Sequence, residues 1–157
     1  MSAEKKLTAL EEQWQKAKEV KPPKKPGIEH AITDDGKIDT EKLVPSVLNL
    51  IPQPTGWRIA ILPYRGTKTS KGGIVLADET QKRTQLATNV GYVLKTGDLA
   101  YADESKFPNG AWCKTGDWVI FGRYAGSRIQ IDGGEIRLLN DDEILGVVND
   151  PEDILHM

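Results

Sequence analysis

Ser127-Arg-Ile-Gln-Ile-Asp-Gly-Gly-Glu-Ile-Arg-Leu-Leu139 carries the clearest structural signal in the chain. Polar and apolar residues alternate through Ser127–Ile131 and again through Glu135–Leu139, the two-residue period of strands with one face buried. Asp132-Gly133-Gly134 between them reads as a hairpin turn, since glycine accepts the left-handed backbone that tight hairpins need. On the C-terminal side, Ile144-Leu-Gly-Val-Val148 reads as a last strand. On the N-terminal side, Asp117-Trp-Val-Ile-Phe121, Asn89-Val-Gly-Tyr-Val-Leu94 and Arg58-Ile-Ala-Ile-Leu62 read as three more. Gly91, inside one of them, predicts a bulge or a close backbone approach. Short strands separated by glycine-rich turns predict an all-β fold, a small barrel or sandwich. No internal repeat is present.

Ahead of Trp57 the character differs. Leu7, Leu10, Trp14 and Ala17 recur at spacings of three and four, which predicts a helix over residues 1 to about 20 with one apolar stripe. Ser2 is a candidate cap, and Pro22-Pro23 must end the helix. Lys21-Pro-Pro-Lys-Lys-Pro-Gly27 reads as an extended linker. Asp34-Asp35-Gly36 is a turn signal. Leu43, Val47, Leu48 and Ile51 fit one short helix ended by Pro52 and Pro54. We therefore divide the chain into a partly helical extension, 1–52, and a β domain, 53–157. The Leu7/Leu10/Trp14 stripe reads as a docking face rather than a free tail. The extension has three possible places: wrapped on the barrel, within an assembly, or on a separate client.

Composition narrows the function classes. The 157 residues suffice for one domain with its own core. With 21 Lys+Arg against 23 Asp+Glu, the chain offers no basic field for nucleic acid or an anionic membrane. Hydrophobic residues make up 38%, low for one globule and consistent with a polar extension. No apolar run approaches the roughly 20 residues of a membrane helix, and no apolar segment follows the charged N-terminus as in a signal peptide. Cys113 is the one cysteine, so no internal disulfide forms and a cytoplasmic setting is expected. With only His30 and His156 besides, neither a metal cluster nor a histidine base assembles readily. Cys113 reads as a small packed residue, because a nucleophile needs a base beside it. Asp141-Asp142-Glu143 reads as a charged turn.

Two long connections interrupt the strands, at about 65–87 and about 97–113. Such connections inside a small domain are uncommon and usually functional. The first contains Lys68-Thr-Ser-Lys-Gly-Gly-Ile-Val-Leu-Ala-Asp-Glu-Thr80. Its apolar triplet follows a loosening glycine pair and precedes charged residues. It fits either a short buried strand or a tip held ready for a partner's groove, and spacing alone favours burial.

The ordered set of motifs resembles the GroES co-chaperonin family. Gly72-Gly73-Ile74-Val75-Leu76 matches the core of that family's mobile loop. Pro54 and Arg58-Ile59 fall where its first strand opens. Lys114-Thr-Gly-Asp-Trp-Val-Ile-Phe121 is similar to its central turn and strand. Tyr124, Glu135–Leu139 and Asp141–Val148 are similar to its closing strands. The resemblance covers about 54–148. It implies a small irregular GroES-like β-barrel and a non-enzymatic function. It implies a homo-oligomeric, seven-membered lid for a GroEL-type chaperonin ring, with folding clients inside the closed chamber. Gly72, Gly73, Ile74, Val75 and Leu76 would bind the chaperonin's apical domains. No cofactor is implied, ATP acting through the chaperonin. The second connection occupies the place of the family's roof hairpin, with Tyr101 and Phe107 as its inner contacts. The stretch Phe107–Asp117 looks more like phage-encoded members, which would place the protein in a host cytoplasm. The extension ahead of residue 53 departs from the family pattern.

An enzyme of the zinc dehydrogenase type, which contains a GroES-like domain, would need a Gly-x-Gly-x-x-Gly after a strand and cysteine or histidine zinc ligands. Both are lacking. The alternative is a non-enzymatic β-barrel adaptor or virion structural module whose loops grip another protein.

Overall fold

The computed structural model describes residues 8–19, 27–66, 75, 77 and 89–154. Six strands form: β1 Arg58–Pro63, β2 Val90–Thr96, β3 Trp118–Phe121, β4 Ser127–Ile131, β5 Gly134–Asn140 and β6 Ile144–Val148. They make one sheet in the order β4-β5-β1-β2-β3-β6. Every neighbouring pair is antiparallel. The hairpin anticipated between Ile131 and Gly134 forms, with Gly133 at φ 84° in the left-handed region that glycine occupies without strain. Gly91 marks a close approach: a Cβ there would lie 2.3 Å from Ile61 Cγ2 and 3.0 Å from the Phe121 ring. The bulges fall elsewhere, between Ala60 and Ile61 and between Ile120 and Phe121.

The sheet must curl. In a flat sheet β5 and β6 would stand four strand spacings apart, about 19 Å. Only Asp141–Glu143 separate them in sequence, and such a connection spans at most about 14 Å. Curling brings Ile59 and Ile61, Val93, Val119 and Phe121, Leu139 and Ile144 into one buried cluster. The all-β expectation therefore holds as a small, strongly curved sheet. β4 and β6 are its edges.

The opposite face is also buried. Ala60, Leu62, Tyr92, Leu94 and Ile136 form a second cluster with Ile28, Val47 and Ile51. The stretch 27–51 is thus a layer laid on the sheet, so of the three places open to the extension this part takes the first. It consists of short 3-10 turns at Ile28–Ala31 and Thr40–Lys42 and one helical turn, α2, Pro45–Leu48. Four ties hold it. Ile28 N–H donates to Asp132 O at 2.9 Å. Tyr64 OH donates to Asp35 O at 3.1 Å. Lys95 Nζ donates to Leu48 O and Ile51 O, both at 3.0 Å. Lys37 Nζ pairs with Asp150 at 3.3 Å.

Further out, α1 spans Ala9–Glu19. Thr8 and Glu11 cap it reciprocally: Glu11 N–H donates to Thr8 Oγ1 and Thr8 N–H to Glu11 Oε2, each at 3.3 Å. Ser2, the cap anticipated from sequence, and Leu7 lie outside the described residues.

Candidate functional site

The two long connections leave opposite ends of β2. The first joins Pro63 of β1 to Val90 at the start of β2, and the second begins beyond Thr96 at its end. Seven residues of strand separate them, about 20 Å. The base of the first connection is pinned. Pro63 pairs with Gly91, and Tyr64 N–H donates to Val90 O at 2.8 Å. The Tyr64 ring also stands edge-on against Trp118, 5.7 Å between centroids. Burial pushes the Tyr64 phenol up to about 12, and the nearby carboxylates Glu152, Asp35 and Asp150 add to the shift. Whatever the connection presents is therefore held on a rigid two-strand base.

Of the residues anticipated as a docking tip, Val75 is described and is 76% exposed. An aliphatic side chain that exposed gains nothing from the fold of its own chain and remains available for a partner. Gly72, Gly73, Ile74 and Leu76 lie outside the described residues.

The second connection folds inward. No strand occurs in 97–113, and Tyr101, Phe107 and Cys113 are buried in the first core cluster. The Tyr101 and Phe107 rings meet edge to face at 4.8 Å, and Phe107 meets Trp112 in the same way at 4.8 Å. Tyr101 has φ 61°, unusual for a residue with a Cβ. Its N–H donates to the buried carboxylate of Asp141 at 3.0 Å, and its hydroxyl lies 3.2 Å from Cys113 Sγ. Burial pushes up both the Tyr101 phenol and the Cys113 thiol. So Tyr101 and Phe107, anticipated as inner contacts of a roof, pack as a plug into the first core cluster together with Cys113.

Sequence reasoning missed the part played by Asp141. The charged turn is present: Asn140 N–H donates to Glu143 Oε1 at 3.2 Å. Asp141, however, turns inward from it to brace the plug. A neighbouring cavity of about 330 Å³ is lined by Trp57, Phe107, Lys106 and the carboxylates Asp103, Asp141 and Asp142. Those carboxylates are already engaged, by Ser105, by Tyr101 and by Lys106 at 2.7 Å. Among the described residues no group of three or more His, Cys, Asp or Glu could hold a metal ion. No helix among them is long and apolar enough to cross a membrane.

A curved antiparallel sheet with two long connections at opposite ends of β2 defines a small β-barrel module. Residues 52–148 match the family model described as "Chaperonin 10 Kd subunit", and the chain belongs to that family. Among its relatives is the co-chaperonin GroES of Clostridium botulinum strain Hall, 34% identical over 96 residues, covering 61% of this chain and 95% of the relative. The co-chaperonin GroES of Clostridium acetobutylicum is 33% identical over 98 residues, covering 62% of this chain and 97% of the relative. The family match begins at residue 52, where the layer of residues 27–51 ends.

Proposed function

We propose that the protein is a co-chaperonin: a ring-shaped lid that closes the folding chamber of an ATP-bound GroEL-type chaperonin over client proteins. It acts in the cytoplasm, that of a host cell if the chain is phage-encoded. The observation that carries this reading is Val75, exposed at 76% on the β1–β2 connection. It is the central residue of Ile74-Val75-Leu76 in a chain of the Chaperonin 10 family. In this reading Gly72 and Gly73 give the tip its freedom, and Ile74, Val75 and Leu76 fill an apolar groove on each apical domain. Each buried aliphatic contributes about 1.5–3 kcal/mol, and ordering the loop offsets much of it. One loop binds weakly, whereas several on one ring bind strongly by effective concentration.

The ring is a homo-oligomer, a heptamer on the family pattern. Its support here is the open edge of β6, where Leu145 and Val147 are exposed. An edge strand with apolar side chains is suited to pair with a strand of a neighbour. Nucleotide chemistry belongs to the chaperonin, and the lid itself needs no cofactor.

The test is capture of the full-length chain by a GroEL-type chaperonin with ATP, read by co-sedimentation. Wild type is captured. Ile74→Asp and Leu76→Asp keep the circular dichroism spectrum and native mass of wild type and are not captured, with affinity down at least about 100-fold, because a buried unpaired carboxylate replaces an apolar contact. Capture of both variants at wild-type strength would defeat the assignment of the tip.

A further inference from the structure

We propose that the turn of residues 33–37, in the layer ahead of the barrel, is a positioning element for docking: it clamps the base of the β1–β2 connection at Tyr64 and Gly66 and so sets how tightly the tip binds. The inference rests on the lid reading above.

The turn is rigidly built. Asp34-Asp35-Gly36 reverses the chain, and Gly36 takes φ 81°, in the left-handed region open to glycine. Thr33 N–H donates to Lys37 O at 2.8 Å and Gly36 N–H to Thr33 O at 2.9 Å. The Thr33 hydroxyl donates to the Asp35 carboxylate. Ile32 and Ile38, bridged to each other at the foot of the turn, pack against the second core cluster. Lys37 fastens the turn to Asp150.

Its inner side meets the connection. Gly36 is the one buried residue of 33–37. A Cβ there would lie 2.5 Å from Gly66 O and 2.7 Å from the Tyr64 ring. One residue earlier, Asp35 O accepts the Tyr64 hydroxyl at 3.1 Å. The base is held on another side as well. The Arg65 guanidinium donates to Gly133 O in the β4–β5 turn, and Ile28 N–H binds that turn at Asp132 O. Tyr64 and Gly66 are therefore gripped by an element that lies ahead of the family match at 52–148.

The layer does not need this grip for its own hold. Ile28, Val47 and Ile51 are buried in the second cluster, and Lys95 binds the carbonyls of Leu48 and Ile51. What the contact adds is order at the root of the connection. Fixing a residue's backbone on binding lowers affinity on the order of tenfold. Residues already fixed before docking escape that loss, so a clamp on the base raises affinity without touching the partner.

Capture of the full-length chain by a GroEL-type chaperonin with ATP, titrated to give an affinity, tests the proposal. Native mass and amide hydrogen exchange are measured on the same samples. Gly36→Ala drives a Cβ into Gly66 and Tyr64. Gly110→Ala is its control: Gly110 also has a positive φ, 91°, but nothing lies within 4 Å of the added Cβ. Both variants carry backbone strain, and only the first displaces the base. Tyr64→Phe keeps the ring that stands on Trp118 and removes the hydroxyl that Asp35 accepts. We expect Gly36→Ala rings to bind at least about tenfold more weakly than wild type, and Tyr64→Phe rings about threefold more weakly. Gly110→Ala should bind as wild type does. The Tyr64 amide, bonded to Val90 O, should exchange at least about tenfold faster in Gly36→Ala. If Gly36→Ala rings do not assemble, Tyr64→Phe decides alone. Gly36→Ala and Tyr64→Phe rings captured at wild-type strength overturn the inference and leave the lid reading standing. So does equal weakening by Gly110→Ala. Wild type that the chaperonin does not capture overturns both.

Discussion

Tyr101 is held in a left-handed backbone conformation by a single buried partner. A residue with a Cβ at φ 61° is strained. Its N–H would otherwise point into the core, and Asp141 accepts it at 3.0 Å. The same carboxylate sits on the turn that swings the chain from β5 into β6. One side chain thus joins the plug to the curl of the sheet. Removing it leaves a buried donor without an acceptor, a loss of about 1.5–3 kcal/mol for a hydrogen bond to a charged group. We expect Asp141→Ala to lower stability by that amount in urea unfolding at fixed protomer concentration. Asp141→Asn keeps an acceptor and should lose less than about half of it. Equal losses would mean that the charge alone, and not the hydrogen bond, braces Tyr101.

The β hairpin of β4 and β5 was legible in the sequence because period two and a glycine turn are local signals. So were β1, β2, β3 and β6, to within two residues at their ends. The layer of residues 27–51 was not legible as part of the barrel. Val47 and Ile51 share a helical spacing, but Ile28 lies nineteen residues ahead across polar turns, and nothing local says which surface the three cover. A signal did exist in the strands beneath. Arg58-Ile-Ala-Ile-Leu62 is apolar without alternation after its first residue, the pattern of a strand covered on both faces. Such a strand requires a second covering element, and residues 27–51 supply it. The plug in 97–113 was hidden for a different reason: a positive φ at a tyrosine and a carboxylate reaching in from forty residues away are non-local. For the docking tip, residue pattern alone favoured burial, and the family motif pointed outward. Val75 is exposed, and the other four residues of the motif lie outside the described residues. The layer carries a direct consequence. Burial of Ile28 and Val47 contributes about 1.5–3 kcal/mol each, a large share of the 5–15 kcal/mol that holds a domain together. Deleting residues 1–26 should therefore remove only the helical dichroism of α1 and leave the melting profile of the barrel unchanged. Deleting residues 1–50 also removes the Lys95 acceptor at Leu48, exposes Ala60, Leu62 and Ile136, and should yield an aggregating or unfolded chain. A soluble, cooperatively melting 51–157 fragment would show that the layer is dispensable.

In the whole molecule the two connections divide the labour between opposite ends of the barrel. The second packs Tyr101 and Phe107 into the core, and the first carries exposed Val75 beyond a pinned base. In the proposed lid every copy would present its tip to the same side of the ring. The tips would act together only if the ring held them at fixed spacing, and the strength of capture would then belong to the assembly. Mixed rings separate the two cases. If each tip acted alone, rings assembled from equal amounts of wild type and Leu76→Asp would bind a chaperonin with half the wild-type capacity and unchanged affinity. With coupled tips, linked binding exceeds the affinity of a single tip by roughly 10²–10⁴. Removing half of them should then lower affinity by far more than half. We expect capture by chaperonin and ATP to fall steeply and non-linearly with the fraction of variant subunits. Native mass should remain that of the full ring throughout, since residue 76 belongs to neither edge strand, β4 nor β6. A linear decline with intact rings would show that a single tip suffices and that multivalency plays no part in docking.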